Sequence, residues 1–412
     1  MADDRPRWWP GPFDVEAFAT SAVEAVRGAV AECAPGREVS ATPSLVASSF
    51  AAVDHLRIDG RAPQAWAPMS GFVRATDGWI RTHANFPHHA AAITRALGAT
   101  TRDELDAKVA ALPAAEAADR IVVAGGIATV VRSEREWGAH PHALATAGDA
   151  WVTQETTGTR PAVPTGDGLP LAGVRVLDLT RVLAGPACTQ LLACLGAEVL
   201  RIDAPARPEL LDQYISNAMG KRSAELDLAD SCDLVRDGLV PRADVVILGY
   251  RPRSLARFGL TPAQLIEHRP GLVVGSLSAW GEHGPWAERP GFDSIVQAAS
   301  GIAERCAADG RPGALPVQAL DYATGYELAA HVIGMLARGE AGVVRASLLG
   351  AARTLLGRPA PSDGPVGSPR AHTVEVPSPY GPVVAVPPPI LLDGETLERS
   401  ISGYAASAPA WR

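Results

Sequence analysis

The chain has 412 residues, 47% of them hydrophobic, which is enough apolar material for two or three domains with their own cores. Its formal net charge of −8 disfavours nucleic acid and anionic membranes as partners, so an anionic ligand would need a local basic pocket. The five cysteines are odd in number and show no C-x-x-C spacing. This usage indicates a reducing compartment and disfavours a disulfide framework or a zinc site.

The N-terminal stretch "MADDRPRWWP" is charged and lacks the apolar core of a signal peptide. The longest apolar stretch, "IVVAGGIATVV", is too short to cross a bilayer. We therefore expect a cytoplasmic protein.

Residues 51–152 are predicted to form a small α+β domain. Within it, "GFVRATDGWIRTHA" reads as a hairpin turning at residues 76–78, and "HHAAAITRALG" reads as a helix. A second helix, "TRDELDAKVAAL", opens with a capping box of Thr101 and Glu104. The next segment, "RIVVAGGIATVV", has the β-branched content of a strand.

Two stretches rich in proline and glycine are predicted to be linkers, at 153–170 and from 358 onward. They divide the chain into a helical segment (1–50), the small domain (51–152), a large domain (171–357) and a C-terminal tail (358–412).

The large domain alternates strand-like and helical segments. Its strand runs are "VRVLDL" (174–179), "EVLRID" (198–203), "ADVVILG" (243–249) and "LVVGSLS" (272–278). This alternation predicts an α/β fold, a Rossmann-like, doubly wound and mainly parallel sheet, beside the smaller α+β domain. Ligands of such sheets bind beyond the carboxyl ends of the strands, which makes "TRVLAGP" a candidate pocket loop.

One carboxylate stands where an apolar, strand-like run turns into a helix, in "LPVQALDYATGYELAAHVIGML" (315–336). Helix capping is the simplest role for this residue, Asp321. However, Thr324 and Glu327 already form a T-x-x-E capping box for the same helix, which would leave Asp321 about one turn before it. The same region is echoed faintly by residues 13–45, in which Asp14 corresponds to Asp321.

Other motifs are absent or weak. The turn after the first strand lacks G-x-G-x-x-G, and no G-x-S-x-G elbow occurs, so a nicotinamide enzyme and a serine hydrolase are disfavoured. A basic cluster around an aromatic ring suits an adenine nucleotide with phosphates, and an ordinary solvated face is the alternative; its residues are Lys221, Arg222, Arg251, Arg253 and Arg257 with Tyr250. Several histidines lack metal-binding spacing and are interpreted as surface or packing residues: His83, His88, His89, His140 and His142.

Five segments resemble family III CoA-transferases and fall in the same order: "LAGVRVLDLTRVLAGPACTQLLACLGAEVLRIDAP", "GKRSAELDL", "ADVVILGYRPRSLARFGLTPAQL", "LSAWGEHGPWAERPGFDSIVQAASGI" and "LPVQALDYATGYELAAHVIGMLARGEAG". That family includes formyl-CoA and carnitine CoA-transferases and α-methylacyl-CoA racemases. The motifs of the small domain are also similar to this family, but here they precede the large domain, whereas in ordinary members they follow it.

The resemblance implies a role for each matching position. Asp321 falls at the nucleophilic aspartate, which would carry CoA as an aspartyl thioester. The loop Val182–Ala184 (Val182, Leu183, Ala184) would line the adenine pocket, and Gly249 and Tyr250 would lie beside the nucleotide. Lys221 and Arg257 would meet the phosphates. The implied substrates are an acyl-CoA and an acceptor carboxylic acid, with no permanently bound cofactor and no metal.

Two alternatives remain. The first is an acyl-CoA racemase or isomerase of the same fold, which needs an acid and a base on opposite faces of the α-carbon. Racemases of this family look to carry His where this chain has Phe292, which disfavours that reading. The second is an inactive partner subunit that binds CoA.

The unusual order of the domains predicts one composite site per chain, with the small domain closing over the large one. Asp14 has no nucleotide fold before it and is expected to be inert. A homodimer is also expected from the resemblance.

Overall fold

The N-terminal part is mostly helical in the computed structural model of the chain, which describes residues 7–163, 168–361, 364–367 and 369–412. Its elements are α1 (Val15–Cys33), β1 (Val39–Ser40), α2 (Pro43–Phe50), α3 (Ala52–His55) and β2 (Arg57–Ile58).

The small α+β unit follows with the predicted hairpin. Its elements are β3 (Gly71–Arg74), β4 (Trp79–Thr82), α4 (Pro87–Leu97), α5 (Arg102–Val109), α6 (Ala114–Val123), β5 (Ala128–Val130), α7 (Glu134–Gly138) and α8 (Pro141–Ala145). The capping box of Thr101 and Glu104 is present at α5. The predicted strand over "RIVVAGGIATVV" is half wrong. Its first residues end α6, because Ile121 packs into the core of the unit, and Gly125 turns the chain at a φ of +84° before β5.

The large unit contains seven strands in one sheet. Its elements are β6 (Val152–Thr159), β7 (Arg175–Leu179), α9 (Ala184–Cys194), β8 (Glu198–Asp203), α10 (Leu211–Ser216), β9 (Lys221–Glu225), α11 (Leu228–Asp233), a π-helical turn (Leu234–Leu239), a 3-10 turn (Val240–Arg242), β10 (Val245–Leu248), α12 (Pro252–Ala256), α13 (Pro262–His268), β11 (Val273–Ser278), α14 (Asp293–Ser300), α15 (Ile302–Arg305), α16 (Ala319–Arg338), β12 (Glu340–Ser347) and α17 (Leu348–Leu356). The four predicted strand runs become β7, β8, β10 and β11.

The strand order is β6-β12-β11-β10-β7-β8-β9, and every pair is parallel except β12 with β6. Successive residues of the central strands enter two different cores: Val176 packs on one face of the sheet and Leu177 on the other. Burial on both faces explains why these strands read as continuous apolar runs. The predicted α/β fold class is confirmed.

Two segments predicted to be linker or tail also pair with strands. Part of the linker 153–170 forms β6, because its threonines suit an exposed edge strand, while residues 164–167 lie outside the described residues. The tail adds β13 (Val374–Val376), β14 (Val383–Ala385), β15 (Leu391–Leu392) and β16 (Glu395–Thr396). Strand β14 pairs with β2, and β15 pairs with β1, so the tail binds the N-terminal segment.

Candidate active site

The candidate nucleophile Asp321 lies in the first turn of helix α16, which begins at Ala319. The predicted capping box is wrong, since Thr324 lies inside this helix, where its Oγ1 accepts a 3.3 Å hydrogen bond from Trp151 Nε1. The side chain of Asp321 is buried, with 8% of its surface exposed. A carboxylate in this position gains from the positive end of the helix dipole.

A second carboxyl, Asp293, takes the capping role. It is the first residue of α14, and its Oδ2 accepts the backbone N–H of Asp321 at 3.0 Å. Its Oδ1 accepts a hydrogen bond from the side chain of Gln297, and Gln297 Oε1 accepts the backbone N–H of Leu315 at 2.9 Å. Helix α14 therefore holds the segment that leads into α16.

The pKa values of both carboxyls are raised. Burial, and after it the negative charge of Asp293, raises the pKa of Asp321 well above its ordinary value. Burial also raises the pKa of Asp293 to about 6, against the hydrogen bonds from Gln297 and the backbone. Because neighbouring like charges resist ionisation, the pair loses its second proton only above the usual range of a carboxylic acid.

The loop after β7 is held by a buried carboxylate. Val182 adopts a φ of +70°, which is rare for a β-branched residue, and its N–H donates to Glu209 Oε2 at 2.8 Å. Glu209 is in turn paired with the buried Arg201 at 3.1 Å. This support fixes the backbone that leads into Leu183 and Ala184, both of which are buried.

Helix α16 crosses this loop closely. A Cβ added at Gly325 would overlap the carbonyl oxygen of Ala184. Gly325 lies four residues after Asp321, so the two share one face of the helix. The face that carries Asp321 is therefore the face turned toward the loop after β7.

The loop after β10 lies beside the loop after β7. Leu248 is in register with Leu179, and the N–H of Gly249 donates to the carbonyl of Leu179 at 3.1 Å. Strand order reverses between β7 and β10, which is where doubly wound sheets bind ligands. Gly249 and the half-buried Tyr250 thus flank the same edge as Val182, and burial raises the pKa of the Tyr250 phenol.

Lys221 lies below this edge and not on it. Its side chain is 1% exposed, and Nζ donates to Thr189 Oγ1 at 2.6 Å and to the Pro186 carbonyl at 2.7 Å. Asp178 Oδ2 is 3.4 Å away. Burial lowers the pKa of Lys221 to about 8, although Asp178 opposes the shift. The predicted phosphate contact does not fit this arrangement, because the ammonium faces the interior.

Arg257 lies at the end of α12 and is exposed. Its guanidinium is 4.5 Å from the centre of the Phe258 ring. Of the predicted site residues, the structure therefore brings Asp321, the loop Val182–Ala184, Gly249 and Tyr250 to one edge of the sheet. It leaves Lys221 beneath that edge and Arg257 on the surface.

The family description "CoA-transferase family III" matches residues 171–381, just over half of the chain. The chain belongs to CoA-transferase family III. The match includes the strands of the sheet from β7 to β12, both pocket loops and the helix that carries Asp321.

Curated members of the family are similar over part of this length. "Probable fatty acyl-CoA transferase Rv3272" of Mycobacterium tuberculosis is 36% identical over 182 residues, which cover 40% of this chain and 46% of that protein. Succinate–glutarate CoA-transferase of Agrobacterium fabrum is 36% identical over 177 residues, 38% of this chain and 44% of that protein. The acetyl-CoA:oxalate CoA-transferase of Acetobacter aceti is 37% identical over 158 residues, 35% of this chain and 40% of that protein.

The crystal structure of Rv3272 from M. tuberculosis matches with a TM-score of 0.43 and 34% identity, over 46% of this chain and 56% of that one. The chain spans about half the length of the family III relatives that it matches.

The sequence analysis did not single out three residues in this region, Asp293, Glu209 and Arg81. Asp293 and Glu209 hold Asp321 and the loop after β7 from distant positions in the sequence. His83, which was interpreted as a surface or packing residue, stacks its ring on that of Phe292, with centroids 3.8 Å apart. Arg81 lies close enough to Asp293 that its charge opposes the rise in the pKa of that carboxyl. The comparison with racemases drew attention to Phe292, the neighbour of Asp293, but nothing in the sequence singled out Glu209.

In the described ranges, no three His, Cys, Asp or Glu side chains come together in an arrangement that could hold a metal ion. None of the helices in this part of the chain combines the length and apolar character that crossing a membrane requires.

Proposed function

We propose that this family III protein transfers CoA between carboxylic acids and that Asp321 is its nucleophile. The observation that carries the proposal is the position of Asp321, a buried carboxyl on the face of α16 that packs against the loop after β7. Its relatives named above include CoA-transferases that act on succinate, glutarate and oxalate.

The proposed reaction proceeds through two covalent intermediates on Asp321. The ionised carboxylate of Asp321 attacks the thioester carbonyl of an acyl-CoA, and the C–S bond breaks to give a mixed anhydride and the CoA thiolate. The thiolate then attacks the carbonyl of the Asp321 side chain, which gives an aspartyl-CoA thioester and releases the acyl group as a carboxylate. An acceptor carboxylate reverses both steps. Covalent catalysis of this kind divides one exchange into easier ones, and a fixed carboxylate gains effective molarity.

In this proposal CoA binds at the carboxyl edge of the sheet. Val182, Leu183 and Ala184 line the adenine pocket, Gly249 and Tyr250 lie beside the nucleotide, and Arg257 meets a phosphate from the surface. Lys221 contributes by holding the Pro186 carbonyl and Thr189, which fixes the start of α9 below the loop.

The direct test is intact-protein mass spectrometry under denaturing conditions after incubation with a panel of acyl-CoAs. We expect a covalent CoA adduct that maps to the peptide with Asp321. Absence of an adduct with every acyl-CoA, or an adduct that persists in Asp321→Asn, would contradict the proposal.

A racemase of the same fold has one observation in its favour, which is the imidazole of His83 on the Phe292 ring. Burial and neighbouring positive charges lower the pKa of His83 to about 3, so it is a poor proton acceptor at neutral pH. Incubation with an acyl-CoA in deuterated water separates the two functions. Exchange of the α-proton without an acceptor acid would favour the racemase.

We also propose that the site is complete within one chain. Contacts between the small unit and α14 support it: the N–H of Arg132 donates to the Ala298 carbonyl at 3.0 Å, near the stacked His83 and Phe292. The expected homodimer is a separate proposal. A monomer mass in light scattering would reject the dimer without affecting the composite site.

A further inference from the structure

Arg81 is a buried arginine on strand β4 of the small unit. Its side chain is 8% exposed, and its guanidinium carbon lies 4.8 Å from the centre of the Trp66 ring and 4.9 Å from that of the Phe72 ring. Its neighbour Ile80 packs into the core of the small unit, so the alternation of the strand turns Arg81 away from that core. The two aromatic rings attract the cation, but they do not satisfy its N–H donors.

The guanidinium of Arg81 has no hydrogen-bond acceptor and no ion-pair partner in the described part of the chain, and its Nε is fully buried. Burial, and after it the charge of Arg102, lowers the pKa of Arg81 to about 10, so the group is still cationic at neutral pH. Burying a charge is costly unless it is paired and hydrogen-bonded. Exceptions of this kind call for a ligand or an ordered water.

Neighbouring carboxyls are occupied by other donors. The charge of Asp293 acts on Arg81, yet Oδ2 of Asp293 accepts the N–H of Asp321 and Oδ1 accepts the side chain of Gln297. Arg102 contrasts with Arg81, because it has a carboxylate of its own, Asp106, at 2.9 Å. The free donors of Arg81 are thus available to an anion from outside the protein.

The position of Arg81 brings it toward the candidate nucleophile. His83 follows two residues later and shares its face of the extended chain, and the His83 ring stacks on that of Phe292 with centroids 3.8 Å apart. The next residue is Asp293, which accepts the N–H of Asp321. Arg81 therefore lies on the face of the small unit that contacts the segment beside Asp321.

Transfer of CoA brings carboxylates to a place that already holds two carboxyls. In each cycle the acyl group leaves as a carboxylate and the acceptor acid arrives as another, while Asp293 stays beside Asp321. Like charges repel strongly where water is excluded. A fixed guanidinium offsets this repulsion, and its planar fork can donate two parallel hydrogen bonds to one carboxylate.

We propose that Arg81 binds the carboxylate that reacts: that of the acceptor acid as it attacks the aspartyl-CoA thioester, and that of the acyl group as it leaves. This inference rests on the proposed CoA-transfer function. Arg81 exchanges no proton in either step, and it recognises only the carboxylate that every substrate acid has. A CoA phosphate is also an anion, but the pantetheine arm separates the phosphates of CoA from the thioester that reacts at Asp321.

Binding is tested on the full chain carrying Asp321→Asn, which is uncharged at this position, as the thioester is, and does not turn over. Arginine is labelled with ¹⁵N at Nε, and the Arg81 resonance is the one lost on adding Arg81→Met. The probes are butyrate, its neutral amide butyramide, and inorganic phosphate. We expect butyrate to shift this resonance and to bind at least about tenfold more tightly than butyramide. Equal binding of butyramide, or tighter binding of phosphate than of butyrate, would overturn the inference.

Kinetics of Arg81→Met test the same contact during transfer, with the acyl-CoA that gives the adduct as donor and butyrate as acceptor. We expect the KM for butyrate to rise by at least about tenfold, because a charge-assisted hydrogen bond is lost, and the KM for acyl-CoA to stay unchanged. The matched control is Arg74→Met, since Arg74 is exposed on the same hairpin and its guanidinium also lies over a ring, that of Trp79 at 5.3 Å. Equal butyrate KM values in the two variants would contradict the proposal.

The stability of Arg81→Met separates binding from a structural role. Methionine is flexible enough to fill the space beside the two rings, and the change removes a buried charge without a partner. We therefore expect a melting temperature equal to or above that of the unmodified chain, together with the raised butyrate KM. A lower melting temperature with an unchanged butyrate KM would make Arg81 a structural cation and reject the proposal.

The two proposals fail separately. If a CoA adduct forms on Asp321 but butyrate neither binds through Arg81 nor depends on it in kinetics, the transferase stands and the role of Arg81 is rejected. If butyrate shifts the Arg81 resonance as expected but no acyl-CoA gives an adduct, the carboxylate site stands and the transferase is rejected.

Discussion

The backbone N–H of Asp321 donates to Asp293 Oδ2 at 3.0 Å, so one buried aspartate caps the helix that presents another. Capping thus comes from α14, 28 residues earlier in the chain, and not from the carboxyl of Asp321 itself. Among the described residues, no donor binds the Asp321 carboxyl, which leaves its oxygens for chemistry.

Replacement of Asp321 by asparagine should abolish CoA transfer while leaving CoA binding nearly intact. The amide keeps the shape and the N–H bond to Asp293, but it lacks the nucleophilic oxygen anion. Adduct formation and steady-state transfer measure the first effect, and calorimetry with CoA measures the second. Full transfer by the Asn variant would leave Asp321 without a catalytic role.

Transfer should depend on pH through the two aspartates. Asp321 attacks only when ionised, and its pKa is raised by burial and by Asp293. The rate should therefore increase as pH rises above the range in which an ordinary aspartate is already ionised. In Asp293→Asn one cause of the raised pKa of Asp321 is gone, so the acidic limb of kcat/KM should move to lower pH. An acidic limb that stays in place would mean that Asp293 does not tune the nucleophile.

Replacement of Lys221 by alanine should reduce stability more than it reduces affinity for CoA. The change leaves Asp178 buried without its cation, which costs about 3–5 kcal/mol when one partner of a buried pair is removed. The matched control is Lys108→Ala, because the only other lysine of the chain is exposed on α5. Chemical denaturation gives the free energies of unfolding. Normal stability combined with a weaker, salt-dependent affinity for CoA would restore Lys221 as a phosphate ligand.

Replacement of two helical glycines by alanine should have opposite effects on the stability of the protein. Gly325→Ala places a Cβ against the Ala184 carbonyl, so it should push α16 from the pocket loop, lower the melting temperature and raise the KM for acyl-CoA. Gly28 lies in the exposed face of α1 with no atom within 4 Å of an added Cβ. Gly28→Ala should therefore stabilise by about 0.5–1 kcal/mol and leave kinetics unchanged. Unchanged kinetics in Gly325→Ala would show that this contact does not position the site.

The sequence predicted those parts of the fold that depend on neighbouring residues. Strand β8 has the predicted bounds, 198–203, because a glycine turn precedes it and its apolar residues are buried on both faces of the sheet. The site depended on residues far apart in the chain. Asp293 reaches Asp321 from another helix, and His83 reaches Phe292 from the small unit, so neither relationship leaves a local pattern. The burial of Lys221 could not be predicted for a related reason: a basic pair in "GKRS" looks exposed until Asp178 and Thr189 are known to face it.

Asp14, the counterpart of Asp321 in the internal repeat, tests whether position in that repeat or surroundings make an aspartate reactive. Helix α1 packs along α16, and Glu32 near its end pairs with Arg338 near the end of α16 at 3.2 Å. The two aspartates differ in what they do. Asp14 is the N-cap of α1, and its Oδ1 accepts the N–H of Ala17 at 2.9 Å.

Because this oxygen is used for capping, Asp14→Ala should cost about 1 kcal/mol of stability and leave transfer unchanged. Thermal unfolding and adduct formation measure the two effects, and Asp14→Asn, which can still cap, is the matched control. Loss of the CoA adduct in Asp14→Ala, with the fold intact, would indicate that the first helix of the repeat takes part in catalysis. An intact adduct with reduced stability would instead assign reactivity to the surroundings that only Asp321 has: a second carboxyl at its N–H and a pocket loop across its helix face.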